Sequence, residues 1–102
     1  MSLQSETVDL LCQLLESGDE ADRCYAARTL GVLRSDSAVS ILIERLKDED
    51  VDVCVDAAEA LGKIGHHSAV PALIDSLRND NSGEVCSMVA VALGKIASAE
   101  CV

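Results

Sequence analysis

Two kinds of helical stretch alternate along the chain. Over Thr7–Glu16, Ala38–Lys47 and Ala69–Arg78, apolar residues return every three or four positions, as at Val39, Leu42, Ile43 and Leu46. That spacing predicts a helix with one apolar face. Each stretch ends in a polar turn: Ser17-Gly18-Asp19, Asp48-Glu49-Asp50 and Asn79-Asp80-Asn81. A second helix is predicted after each turn, over Glu20–Leu33, Val51–Ile64 and Glu84–Ala97. Asp50 or Asp52 suits the N-cap of the middle one, where a carboxylate accepts from free backbone N–H groups and complements the helix dipole. Gly65 and Ser35-Asp36-Ser37 end second helices, and Pro71 falls in the first turn of a first helix, where proline is tolerated.

The pattern repeats. A shift of 31 residues carries Leu11 onto Leu42 and Leu73, and Leu15 onto Leu46 and Leu77. It carries Ala26-Ala27-Arg28-Thr29-Leu30-Gly31 onto Ala57-Ala58-Glu59-Ala60-Leu61-Gly62, and a shift of 32 carries that onto Val89-Ala90-Val91-Ala92-Leu93-Gly94. The extra residue falls in the turn-rich Asn79–Gly83, where insertions are tolerated. A fixed period of this length marks stacked supersecondary units. The units span about 7–37, 38–68 and 69–99, within one domain over 1–102. Gly31, Gly62 and Gly94 sit inside second helices, where glycine costs about 1 kcal/mol relative to alanine. Their shared phase, just after small residues, predicts close approach of neighbouring helices.

The segment Val53-Cys54-Val55-Asp56-Ala57-Ala58-Glu59-Ala60-Leu61-Gly62-Lys63-Ile64-Gly65 resembles the second helix of a HEAT-like repeat, of the short kind named after phycobilisome lyases. The resemblance covers Thr7 to Ala97. It implies an all-α fold, an α–α superhelix (solenoid) of three helix–turn–helix repeats with six helices. The family pattern places Val-Arg ahead of the alanine pair. Only Arg23 keeps that arginine, and Cys54 and Cys86 replace it, which breaks the run on which an inter-repeat ion-pair ladder would rest.

The resemblance also implies that second helices line the concave face. In unit two the core side reads Val53, Ala57, Leu61 and Ile64. The opposite stripe reads Asp52, Asp56, Glu59 and Lys63, with Ala21, Tyr25, Arg28 and Val32 in unit one and Glu84, Met88, Val91 and Lys95 in unit three. Tyr25 and Arg28 are residue types enriched at binding hot spots. The stripe Tyr25, Arg28, Val32, Asp56, Glu59, Lys63, Met88, Val91 and Lys95 is therefore the expected partner-binding surface.

Composition narrows the chemistry. Eighteen acidic residues against eight basic ones give a formal net charge of −10 over 102 residues. Phosphate neutralisation by Lys and Arg drives nucleic-acid binding, so neither nucleic acid nor an anionic membrane is an expected partner. No apolar run approaches the ~18 residues of a membrane span, and the N-terminus lacks the basic and apolar regions of a signal peptide. Half the residues are apolar, with one Tyr and no Trp or Phe. That suits a thin core of close-packed helices.

Five cysteines without a Cys-x-x-Cys suggest a reduced, cytoplasmic setting. Cys54 and Cys86 hold equivalent positions in neighbouring units, but packed helices lie about 8–10 Å apart, beyond disulfide reach. Asp48, Asp50, Asp52, Asp56 and Glu59 imitate the spacing of a calcium-binding loop, yet Val53 stands where that loop needs glycine. No metal, cofactor or catalytic constellation is expected, and His66-His67 reads as an exposed turn.

The last helix is apolar nearly all round. It predicts packing of the C-terminal end against another copy, as a homodimer, or membership of a longer array. The expected function is a non-catalytic scaffold or adaptor that offers a curved, acidic solenoid surface to another protein. The resemblance adds two alternatives: a bilin lyase or isomerase subunit or other phycobilisome-related factor, or a regulatory fragment of a larger HEAT-repeat protein.

Overall fold

Local capping sets the register of the helices. Asp19 accepts from the Asp22 N–H at 2.9 Å and starts one second helix. Asp50 accepts from the Asp52 N–H at 2.9 Å and starts the next. Gly65, at φ 74°, ends the latter with its N–H on the Leu61 carbonyl. In a computed structural model, which describes residues 3–79 and 82–100, the chain forms α1 (Leu3–Ser17), α2 (Glu20–Leu33), α3 (Val39–Arg45), α4 (Val51–Ile64), α5 (Val70–Asn79) and α6 (Gly83–Glu100). There is no strand among the described residues.

The bounds of α2 and α4 are those predicted. The first helices differ. A 3-10 turn, Asp36–Ala38, precedes α3, and another, His67–Ala69, precedes α5. After Arg45 the backbone tightens: the N–H groups of Leu46, Lys47 and Asp48 turn to the carbonyls three residues back. Helix α1 begins before Thr7 and α6 runs past Ala97. Arg34 closes α2 in the left-handed region at φ 52°, where a glycine would be expected. The extra residue of unit three falls in the α5–α6 turn, whose Asp80 and Asn81 lie outside the described residues, as does Cys101.

Each unit is an antiparallel helix pair, α1 with α2, α3 with α4 and α5 with α6. The second helices α2, α4 and α6 lie side by side as one layer, with the first helices as the other. The body measures 38 × 35 × 16 Å, a slab two helices thick. Close approach within the second-helix layer explains the recurrent glycine. A Cβ on Gly31 would stand 2.8 Å from the Ala60 Cα, and one on Gly62 would stand 2.9 Å from the Ala92 Cα. Leu15, Leu30, Leu42, Leu61, Leu73 and Ile96 are fully buried between the layers. The protein is thus an all-α solenoid of three stacked pairs.

Candidate functional site

The surface of interest lies on the second-helix layer, and its geometry follows from the seams between units. At the first seam Arg23 donates from Nε and Nη2 to the two Asp48 carboxylate oxygens at 3.0 and 3.1 Å, and from Nη1 to the Gly18 carbonyl at 2.9 Å. This two-pronged geometry is the strong form of the arginine–carboxylate pair. Asp48 also accepts from the Asp50 N–H at 2.9 Å, so one carboxylate ties α2 to the turn that starts α4. A second pair joins the same helices: Arg28 Nε donates to Asp56 Oδ2 at 3.0 Å. The Arg28 guanidinium also lies 5.6 Å from the centroid of the Tyr25 ring, a cation–π arrangement.

Asp56 corrects the expected stripe. It is only 7% exposed, pressed into the α2–α4 seam, and so offers no open surface. Tyr25, Asp56 and Met88 share one phase of their helices, and that phase faces the preceding unit. Met88 is half-buried there, whereas Tyr25, against which no described residue of a preceding unit packs, is 63% exposed. Glu59 and Lys63 are half-exposed and face each other at 3.9 Å. The Lys63 stem lies over Gly31 and the Lys95 stem over Gly62, each with its Cδ 3.6 Å from the site of an added Cβ. Val32 and Val91 are exposed apolar side chains.

What the structure brings together is therefore a cluster at the start of the stack and a shallow depression at its end. The first holds Tyr25, Arg28 and Val32. The second, of about 440 Å³, is lined by Val55, Gly83, Glu84, Ser87, Met88 and Val91. The Arg23–Asp48 pair was absent from the sequence reading. Its signal was an arginine early in a second helix and an aspartate at the turn that opens the next.

Burial silences the nearest thiol. Burial pushes Cys24 up to about 12, and the facing Asp56 carboxylate adds to the effect. Burial and the neighbouring Asp9 and Glu16 raise Cys12 as well. Cys54 donates its S–H to the Asp48 carbonyl at 3.1 Å. His66 accepts the Ser68 N–H at Nδ1 and so shapes its own turn.

The residues that imitated a calcium loop have other work: Asp48 and Asp56 hold arginines, Asp50 caps α4, and the chain from Val51 is helical. Among the described residues, one carboxylate trio, Glu20, Asp50 and Asp52, has oxygens within 4.8 Å of one another. Repulsion from Asp50 raises Glu20 above its ordinary value. Also among the described residues, no helix is long and apolar enough to cross a membrane.

Comparison with known proteins agrees with this architecture. The profile for HEAT repeats matches residues 8–94. The chain belongs to the HEAT-repeat family. This HEAT-repeat chain is 41% identical over 80 residues to the phycocyanobilin lyase subunit alpha of Microchaete diplosiphon, covering 70% of its own length and 27% of that protein. It superposes on a chain of the solved complex of CpcE and CpcF of phycocyanin lyase from Nostoc sp. PCC7120 with a TM-score of 0.81 and 35% identity. That match covers 87% of this chain and 36% of the other. The repeats are thus of the phycobilisome-lyase type, and the chain spans about a quarter to a third of these relatives.

Proposed function

We propose that this HEAT-repeat chain is a non-catalytic protein-binding module of a bilin-lyase-type assembly, at work in the cytoplasm. The observation that carries the reading is the Tyr25–Arg28–Val32 cluster. Its aromatic ring and aliphatic side chain are exposed, and its arginine is held in place from behind by buried Asp56. Rigid aromatic and arginine anchors of this kind carry most of the energy at protein interfaces. The similarity to a chain of a two-protein lyase complex supports a protein as the partner. A small acidic slab of this sort would add surface to an assembly and orient what binds there. Packing of the apolar last helix against another copy belongs to the same proposal, and the form it takes is argued below.

A second reading follows from the 41% identity to a phycocyanobilin lyase subunit: the chain itself takes part in bilin attachment or isomerisation. One titration separates the two. Purified chain is titrated by calorimetry with apo-phycocyanin, and its absorbance is followed with free phycocyanobilin. Saturable binding of apo-phycocyanin that is lost in the Tyr25→Ala/Arg28→Glu variant supports the module. A bilin absorbance shift without apo-phycocyanin binding supports the second reading, and silence in both assays overturns both.

A further inference from the structure

The two ends of the stack carry the same chemistry as the seams inside it. On the side of each second helix that faces the following unit, Cys24, Ala27 and Gly31 of α2 are buried against α4. Ala58 and Gly62 of α4 are buried against α6, with Val55 half-buried beside them. The equivalent residues of α6 are Ser87, Ala90 and Gly94, and all are exposed. Gly31 and Gly62 each meet an alanine backbone, whereas a Cβ on Gly94 would meet nothing within 4 Å. The first-helix layer repeats the contrast. Leu15 and Leu46 are buried, but Leu77 at the same phase is 42% exposed.

The opposite end is uncovered in the complementary way. Ile41 of α3 is 8% exposed, and its counterpart Leu10 on α1 is 65% exposed. Ala60 and Ala92 are buried at the seams, while their counterpart Thr29 is open. Tyr25 is open where Asp56 is covered.

We infer that a second copy of this chain docks head to tail, its α1–α2 face on the α5–α6 face of the first, in the register of the internal seams. Continuity with those seams is the warrant, because each open position has a buried or half-buried equivalent one unit away. In that register Val32 of one copy covers Gly94 of the other, as Lys63 covers Gly31 and Lys95 covers Gly62. Tyr25 meets Val91, so an apolar contact replaces the Arg28–Asp56 ion pair at the equivalent place. Contacts of this kind join unlike faces and leave both ends open, so they form rows and not closed pairs. The net charge of −10 per copy opposes the contact, and salt screens that repulsion. The inference rests on the reading of the Tyr25 cluster as a docking face and names its occupant.

The test uses two variants of the whole chain. Leu10→Asp/Val32→Asp blocks the first face, and Val91→Asp/Gly94→Lys blocks the second, all at exposed positions. Sedimentation equilibrium of the parent is expected to show mass rising with concentration, more steeply at 0.5 M than at 0.05 M salt, because the tenfold rise in ionic strength shortens the screening length about 3-fold. Each variant alone is expected to stay monomeric with unchanged helical circular dichroism. An equimolar mixture of the two is expected to form a two-chain particle and nothing larger. A parent that stays monomeric overturns the inference, as does a closed dimer abolished by the Val91→Asp/Gly94→Lys change and untouched by the other. A monomeric parent that still binds apo-phycocyanin through Tyr25 and Arg28 overturns the self-docking alone and leaves the protein-binding reading standing.

Discussion

At the scale of single residues, the Arg28–Asp56 pair shows how unequal the two partners of a salt bridge can be. Arg28 is half-exposed and keeps its hydration when freed, whereas Asp56 is almost wholly covered. Arg28→Ala leaves a covered carboxylate without its partner, so urea unfolding is expected to report a loss of about 1–2 kcal/mol, discounted for the exposed guanidinium. Asp56→Ala strands only a charge that water can reach, and a smaller loss is expected from the same measurement. Glu20 gives a pH signature of opposite sign to the usual carboxylate. Asp50 raises its pKa on folding, from an ordinary value of 4.5, so ionising it costs the folded state more than the unfolded one. Its unfavourable contribution is small below that value and grows as the pH rises through the raised pKa. Glu20→Gln is therefore expected to raise the urea midpoint at pH 7 and to leave it unchanged at pH 4, and equal shifts at both would refute the argument. Cys24, at about 12, is almost never a thiolate at pH 8. Native alkylation followed by peptide mapping is expected to leave it unmodified, and labelling at the rate seen in urea would contradict this.

At the scale of elements, the three equivalent glycines make a controlled comparison. Gly62→Ala forces a Cβ to within 2.9 Å of the Ala92 Cα, so α4 and α6 must part, at a cost of about 1–3 kcal/mol. Gly94→Ala meets nothing and removes a glycine from a helix interior, for a gain of about 0.5–1 kcal/mol. Urea melts of the two variants at low concentration are expected to move in opposite directions. The helices themselves were legible because their signals are local: an apolar period of three to four between polar turns placed α2 and α4. Asp50, one of two aspartates that suited the cap of α4, is the one that starts it, whereas the Asp19 cap of α2 came only from the structure. The left-handed end at Arg34 was not, since an arginine carries no sequence mark of that conformation. Nor was the burial of Asp56. A single-helix pattern sorts residues into facing the hairpin partner or facing water. A solenoid helix has further sides, towards the unit before and the unit after, and Asp56 belongs to one of them. Tyr25 and Val32 read correctly as exposed because the first unit has no predecessor among the described residues. The cluster proposed as a docking face was thus half visible, its exposed anchors in the pattern and its buried support only in the packing.

At the scale of the whole molecule, stability in such a stack is close to a sum of unit terms and seam terms. The two seams are not equal. Both bring a glycine against an alanine, but the first adds the Arg23–Asp48 and Arg28–Asp56 pairs. At the second, Cys54 and Glu59 stand at the positions of those arginines. Helix α4 is covered by neighbours on both sides and buries Val53, Cys54, Ala57, Ala58 and Leu61, whereas α5 has Leu73 as its one buried residue. The middle of the stack should therefore hold longest and the third unit should open first. Native-state hydrogen exchange is the direct reading of such a gradient. Slowest exchange is expected in α4, with α5 and α6 opening at lower free energy than α1 and α2. Gly62→Ala, which loosens only the second seam, should then accelerate exchange in α5 and α6 while α1 and α2 keep their protection. If the substitution instead speeds every helix alike, the three units open as one cooperative body, and the inequality of the seams has no thermodynamic consequence.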